Sequence, residues 1–313
     1  MSKLSILEWN INGRSNISGN YEMPNHVIDT LICKSPDVFI LTEFIPDALT
    51  DEVKSKFEQT YNLKWSDNYK QYYSNAVLIG VKRELNPKNF NFELKGYKSI
   101  HPNFGVVELT FNNKNIAIIG FRMLSFPVKR KYNKKTIKGF TAWVEELRCN
   151  YNIEKCLFDI FIKNNLESMI AKYDSIIFTG DFNNAMHYGD KKSSFNEVKK
   201  CYDKHQIIEG RRIDYKVGQY NYNLHIIQDE LKKYNLFLLE GNNDWSWLDK
   251  NGNQIHNDHF FVTSDIAEKY KGSVEFENVQ NGFKEGLDHR YLIGTIDFDQ
   301  IDGTANNVEN EKF

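Results

Sequence analysis

Short apolar runs rich in β-branched residues recur along the chain: Leu4 to Trp9, Val38 to Leu41, Ala76 to Val81, Val106 to Phe111, Ile116 to Phe121, Ile176 to Phe178, Leu236 to Leu239, Phe260 to Val262 and Tyr291 to Ile296. Each predicts a strand. Between several of them the apolar residues return every three or four positions, the period of one helix face. Val27, Ile28, Leu31 and Ile32 form such a stripe after Pro24, a residue suited to a first helical turn. The clearest helix is predicted from Ile153 to Ile170, with Leu157, Phe158, Phe161, Ile162, Leu166, Met169 and Ile170 on its apolar face. Another spans about Leu224 to Lys233, with Leu224, Ile227 and Leu231 on one stripe.

Strands occur both as neighbouring pairs, as on either side of Asn112 to Asn115, and as strand–helix–strand units. This mixture predicts an α/β sandwich of packed mixed sheets flanked by helices, not a purely parallel doubly wound sheet. No fixed-period repeat and no Pro/Gly/Ser-rich linker divides the sequence. A single domain over residues 1–299 is therefore expected, and a polar tail, 300–313, is expected to be disordered.

Composition narrows the class. Of 313 residues, 41% are hydrophobic and 14% aromatic, enough apolar surface for a substantial core, which excludes global disorder. No apolar run approaches the roughly 18 residues of a membrane span, and Met1 to Ser5 passes straight into a strand pattern; a soluble, cytoplasmic protein with no membrane association is expected. Nothing in the sequence points to a protein partner. Cys33, Cys149, Cys156 and Cys201 form no CxxC pair or zinc spacing and are expected to be reduced and mostly buried. The 40 Lys+Arg against 42 Asp+Glu give a net charge of −2, which removes any whole-protein basic field; contacts to a phosphate polymer would have to be local.

The polar residues of interest sit where strands end. Asn10 and Asn12 follow Ser5 to Trp9, Glu43 follows Phe39 to Thr42, and Asp181 and Asn183 follow Ile176 to Gly180. Any one of them could simply form a turn. As a set of hard oxygen donors at strand ends, where α/β folds place their ligand crevice, they suit Mg²⁺ or Mn²⁺ together with a phosphate. Later come Asn257-Asp258-His259 and Leu287-Asp288-His289-Arg290. A histidine beside a carboxylate can be held in one tautomer and tuned as an acid or base, although such a pair is more often a surface ion pair.

The ordered series Trp9-Asn10-Ile11-Asn12-Gly13, Thr42-Glu43-Phe44, Gly180-Asp181-Phe182-Asn183, Asp258 at a strand start, and Leu287-Asp288-His289-Arg290-Tyr291-Leu292 resembles the endonuclease/exonuclease/phosphatase superfamily. That superfamily includes DNase I-like nucleases, apurinic endonucleases, neutral sphingomyelinases and inositol phosphatases. The resemblance runs from about residue 3 to 297. It implies a DNase I-like four-layer α/β sandwich and a magnesium-dependent hydrolase acting on phosphodiesters. By the same resemblance, Glu43 is the principal metal ligand with Asn12 or Asp288 near the ion. Asn10 and Asn183 hold phosphate oxygens or orient Asp181, Asp181 positions the attacking water, and His289 pairs with Asp258. Arg212-Ile213-Asp214-Tyr215 spells a familiar string of the family, but Asp258 opens an apolar run as the motif requires and is the better match.

One departure concerns Arg122, where many family members carry a His or a Tyr. Arginine cannot shuttle a proton at neutral pH, but its fork of donors can clamp a phosphate; the competing reading is reduced or lost activity. Beyond it, Val128 to Lys138 holds six basic residues and no acid, among them Lys129, Arg130, Lys131, Lys134 and Lys135, interrupted by Tyr132 as a stacking surface. A second stretch, Lys191 to Lys216, has eight bases against four acids. Such runs are usually solvated loops; next to the site they would grip a nucleic-acid backbone. Trp245 and Trp247 are either core aromatics or rim groups that stack on a base. The expected activity is thus nuclease-type (endonuclease or exonuclease) hydrolysis of DNA or RNA. The alternatives are a phosphatase or phosphodiesterase of a small phosphorylated compound or lipid head group, and an inactive nucleic-acid-binding member of the fold.

Overall fold

In a computed structural model, residues 2–12, 23–66, 76–91, 103–123, 158–159, 161–183, 224–239, 245–248, 254–277 and 287–299 are described. Fourteen strands occur among them: β1 (Lys3–Asn10), β2 (Val38–Phe44), β3 (Tyr61–Trp65), β4 (Ala76–Lys82), β5 (Asn89–Asn91), β6 (Asn103–Phe111), β7 (Lys114–Arg122), β8 (Ser175–Asp181), β9 (Leu236–Leu238), β10 (Trp247–Leu248), β11 (Gln254–Ile255), β12 (Asp258–Thr263), β13 (Lys271–Glu277) and β14 (Tyr291–Asp297). The helices are α1 (Asn25–Lys34), α2 (Asp51–Glu58), α3 (Glu167–Ile170), α4 (Leu224–Lys232) and α5 (Ser264–Lys269). One six-stranded sheet has the order β13-β14-β1-β2-β4-β3 and the other β5-β6-β7-β8-β12-β9. Each is mixed, since β1 runs parallel to β2 and β7 parallel to β8 while the other neighbours are antiparallel.

The layers follow from strand parity. Successive side chains of a strand point to opposite faces, so a strand covered on both sides is apolar throughout. Leu4 and Ile6 of β1, Val38 and Ile40 of β2, Ile116 and Ile118 of β7, Ile177 of β8 and Phe260 and Val262 of β12 share the core between the sheets. Their odd neighbours face outward: Leu7, Trp9, Phe39 and Leu41 pack with Val27 and Leu31 of α1 and Phe57 of α2. On the far side Ile119, Phe121, Ile176 and Phe178 pack with Phe161, Leu166, Ile227 and Leu231. The expected sandwich of two mixed sheets is the observed one.

Several elements were not evident from hydrophobic pattern. β3, β5, β10, β11 and β13 are edge or two-stranded pieces in which few positions need to be apolar. α2 buries only Phe57, yet its start carries a legible signal: Thr50 caps it, accepting from Val53 N, with Asp51 and Glu52 in the first turn. The predicted helix from Ile153 is seen at Phe158, Asp159 and from Phe161 onward, where a π-helical turn over Ile162–Leu166 precedes α3; its other residues lie outside the described ones. Ile32, expected in the stripe of α1, is instead exposed. Cys33 is also exposed, correcting the expectation of burial, because it follows Ile32 onto the solvent side of the last turn. The other cysteines, and the tail 300–313, lie outside the described residues.

Candidate functional site

Extending the same parity to the ends of the strands brings the polar residues together. Glu8 and Asn10 continue the inward-facing positions of β1, Thr42 those of β2, Arg122 those of β7, Thr179 and Asp181 those of β8, and Asp258 those of β12. All seven are nearly or fully buried. The two sheets therefore converge on a polar end, while His259, one residue out of phase with Asp258, turns away and packs against Phe182.

Asp181 is the centre. Its Oδ2 accepts from Asn10 Nδ2 at 2.8 Å and from Asn183 Nδ2 at 2.6 Å, and its Oδ1 accepts from the Asn183 backbone N–H at 2.8 Å. Neither amide is free to turn: Asn10 Oδ1 accepts from the Asn12 backbone N–H at 2.9 Å, and Asn183 Nδ2 also donates to the Met123 carbonyl at 2.8 Å. Gly180 makes this bend possible. Its φ is 150°, and a Cβ there would collide with the Phe121 carbonyl. Phe182, between the two polar residues, plugs into the outer core against Phe121 and Phe178, with ring centroids at 5.0 Å in both pairs.

Asp258 lies opposite Asp181 in the β8–β12 ladder. Its Oδ2 is 2.7 Å from His289 Nδ1. The Ser246 hydroxyl accepts from the backbone N–H of both Asn257 and Asp258 at 3.0 Å, and Trp9 Nε1 donates to the His289 carbonyl at 3.1 Å, fixing both ends of the pair. Burial by itself would lower the His289 pKa; the charge and hydrogen bond of Asp258, aided by Asp288 and Asp181, outweigh it and push it up to about 10. The ring is an imidazolium at neutral pH. Burial and the Asp258 charge raise Asp181 in turn, to about 7, against the pull of His289 and Arg122. At the opposite end of the sheets the logic inverts: burial would raise Asp265, but hydrogen bonds from Ser175, Thr263 and Lys114 hold it below its ordinary value. An acid raised at one end and another lowered at the other makes the first end the candidate site.

Glu43 reaches the site through a β-bulge. The β2–β4 register shifts between Leu41 and Phe44, and Glu43 has φ 52°, which breaks the alternation and re-aims its side chain. Its Oε1 accepts from Arg122 Nη2 at 2.5 Å. Asn12 and Asn183 share the left-handed backbone, with φ of 43° and 46°. Asparagine adopts this region readily, so of the three only Glu43 is an uncommon residue type there. Beside His289, Trp247 Nε1 donates to Asp288 Oδ2 at 2.9 Å, and Trp245 stacks over the Arg290 guanidinium at 4.9 Å.

The fold recurs in solved structures. The chain superposes with a TM-score of 0.56 on ANGEL2, a 2′,3′-cyclic phosphatase, at 11% identity over 94% of this chain and 95% of that one. It matches D. rerio TDP2 complexed with single-strand DNA product at 0.53, with 15% identity over 95% and 99% of the two chains. An AP endonuclease from Archaeoglobus fulgidus gives 0.52, with 16% identity over 94% and 99%. This chain has the DNase I-like fold. No protein-family model and no curated protein sequence matches it. What is shared with these DNase I-like structures is architecture, so the chemistry is argued from the residues at the sheet ends.

For a divalent cation the donor chemistry fits in kind: Glu43, Asp288 and Asn12 offer only hard oxygens. Asp288 Oδ1 is buried and has no hydrogen-bond partner among the described residues. Among those residues there is no group of three or more His, Cys, Asp or Glu placed to hold a metal. Two carboxylates and an amide oxygen would therefore be this chain's share of such a site. The structure thus joins Asn10, Asp181 and Asn183 by hydrogen bonds, sets Asp258, bonded to His289, on the neighbouring strand, and pairs Glu43 with Arg122. Lys129, Arg130, Lys131, Tyr132, Lys134, Lys135, Asp214 and the stretch 191–216 lie outside the described residues. Glu8 and Ser246 escaped the sequence reading. Glu8 carried a signal, an acid at an inward position of an otherwise apolar strand; a serine that caps a backbone from a distant segment carries none.

Proposed function

We propose that this protein is a divalent-metal-dependent phosphodiester hydrolase whose substrate is nucleic acid. The observation that carries the reading is Asp181, held by two amides and poised near neutrality, beside the His289–Asp258 imidazolium pair. A general base is most useful when its pKa lies near the working pH, and Asp181 meets that condition for drawing a proton from water. His289, protonated and locked by Asp258, presents a fixed positive charge to the phosphate and stabilises the charge that grows on its oxygens. Asn10 and Asn183 keep the Asp181 carboxylate aimed. Held by Glu43 and Asp288 with Asn12, a Mg²⁺ or Mn²⁺ ion would supply further charge neutralisation and polarise the phosphoryl oxygens. Arg122, paired with Glu43 at the same end, adds a cation for phosphate.

Nucleic acid is favoured over a small phosphate ester by the two basic stretches of the sequence, 128–138 and 191–216, each of which follows a strand that ends in the site. The test is turnover of labelled DNA, RNA, abasic DNA, sphingomyelin and inositol phosphates with Mg²⁺ or Mn²⁺. Cleavage of a polynucleotide, abolished by chelator and by Asp181→Ala, is the expected result. Cleavage of only the small esters or the lipid would move the substrate class, and tight nucleic-acid binding without any turnover would make the protein a binding module.

A further inference from the structure

The residue that the reading above leaves unused is Glu8. It is fully buried and occupies an inward position of β1 between Ile6 and Asn10, two residues before the asparagine that meets Asp181 across the two sheets. One of its oxygens, Oε1, accepts from the Thr42 hydroxyl at 3.3 Å. The other, Oε2, is buried and has no hydrogen-bond partner among the described residues, and the same is true of Asp258 Oδ1. Two orphaned, buried carboxyl oxygens on inward positions of the two sheets are costly if both groups are ionised, because each is then an acceptor with nothing to accept. They cease to be orphans if one carboxyl carries a proton. Asp258 Oδ2 already meets the His289 ring, whereas the partner of Glu8 is a neutral hydroxyl, which leaves Glu8 as the group to hold it.

We propose that Glu8 is a neutral carboxylic acid whose O–H is directed at Asp258 Oδ1, so that Glu8, Asp258 and His289 form one hydrogen-bonded line and Glu8 is a positioning residue for the histidine. The groups facing Glu8 agree with this: burial, then the charges of Asp258 and Asp181, push its pKa well up, against a weaker pull from His289 and Thr42. The role is specific to an acid or an amide at this position. A glutamine can donate from Nε2 in the same direction, whereas a leucine of similar volume fills the space and donates nothing.

The decisive measurement needs no substrate. Infrared spectra of protein labelled with ¹³C-glutamate at pH 8 should contain the carbonyl band of a protonated carboxyl group, lost in Glu8→Gln. The downfield proton resonance of His289 Nδ1–H should move in Glu8→Leu and stay in place in Glu8→Gln. Absence of the protonated band, or a His289 resonance indifferent to Glu8→Leu, would overturn the proposal. A kinetic arm rests on the hydrolase reading: kcat should fall about 10-fold in Glu8→Leu with KM unchanged, and recover in Glu8→Gln. If no substrate is turned over, that reading fails while the spectroscopic arms still decide the position of the proton.

Discussion

Asn10 and Asp181 lie 171 residues apart and belong to different sheets, yet the amide of one donates to the carboxylate of the other at 2.8 Å. This bond ties the sheets together at the polar end and stabilises the ionised form of an acid that burial and Asp258 push towards protonation. Asn10→Ala should therefore raise the Asp181 pKa further. A hydrogen bond to a charged group is worth about 1.5–3 kcal/mol, or roughly one to two pKa units. The acidic limb of the pH–rate profile should shift upward by about one unit, with the plateau at high pH less affected.

Asp181 also sets a slope of stability against pH. With its folded pKa at about 7 against an ordinary value of 3.8, its contribution is fully present below about pH 4 and is lost as pH rises through 7. Asp181→Asn cannot titrate. Urea denaturation of the two proteins between pH 4 and 7 should show the variant gaining relative to wild type as pH rises, by at most about 1.4 kcal/mol per pH unit, and no further change above 7.

The His289 pair acts in the same direction over a higher window. Its folded pKa of about 10 lies above the ordinary 6.5, so its stabilisation is complete below 6.5 and disappears as pH rises through 10. Asp258→Asn removes the principal cause. The His289 titration, followed by NMR, should fall by several units, and hydrolysis at pH 7 to 8 should drop about 10²- to 10⁴-fold as the imidazolium is lost.

Arg122 and Glu43 offer a test of burial and pairing. Arg122 is 3% exposed and bonds a carboxylate that is only partly open to solvent. Arg122→Ala should cost about 3 kcal/mol by leaving Glu43 without its cation. Arg122→Lys should recover part of the stability but less of the activity, since an ammonium lacks the planar fork that can hold Glu43 and a phosphate together. Chemical denaturation and initial rates separate the two effects.

Phe182 anchors the loop that carries Asp181 and Asn183. Phe182→Ala, which opens a cavity among Phe121, Phe158 and Phe178, should destabilise by about 3–5 kcal/mol. Activity per folded molecule should also fall, because Asn183 no longer has a fixed partner position. Thermal unfolding together with kcat below the transition tests both.

Much of this molecule is legible in its chain. β1, β2, β4, β7, β8 and β12 follow from apolar runs because strands buried on both faces must be apolar along their length. Period-two alternation then says which residues of one strand share a face, as Glu8 does with Asn10 and Thr179 with Asp181, but a strand apolar on both faces does not say which face is inward. β3, β5 and β13 were hidden because edge strands need little apolar surface, and α2 because it buries a single aromatic. Parity is a local property of a strand, and local properties are what a sequence exposes.

Which polar group meets which was decided by the packing of the two sheets. His289 finds Asp258 across 31 residues, Arg122 finds Glu43 across 79, and Trp247 finds Asp288 across 41. Glu43 reaches Arg122 only because a bulge turns it against its strand's alternation, and Glu8 becomes a buried acid only because the second sheet closes over it. The hydrophobic pattern of the chain is enough for the buried strands and for the polar residues at their ends. The tertiary structure alone decided the pairings, and with them the raised pKa of Asp181 and the charged state of His289, because electrostatic energy depends on distance and desolvation between groups that the chain keeps far apart.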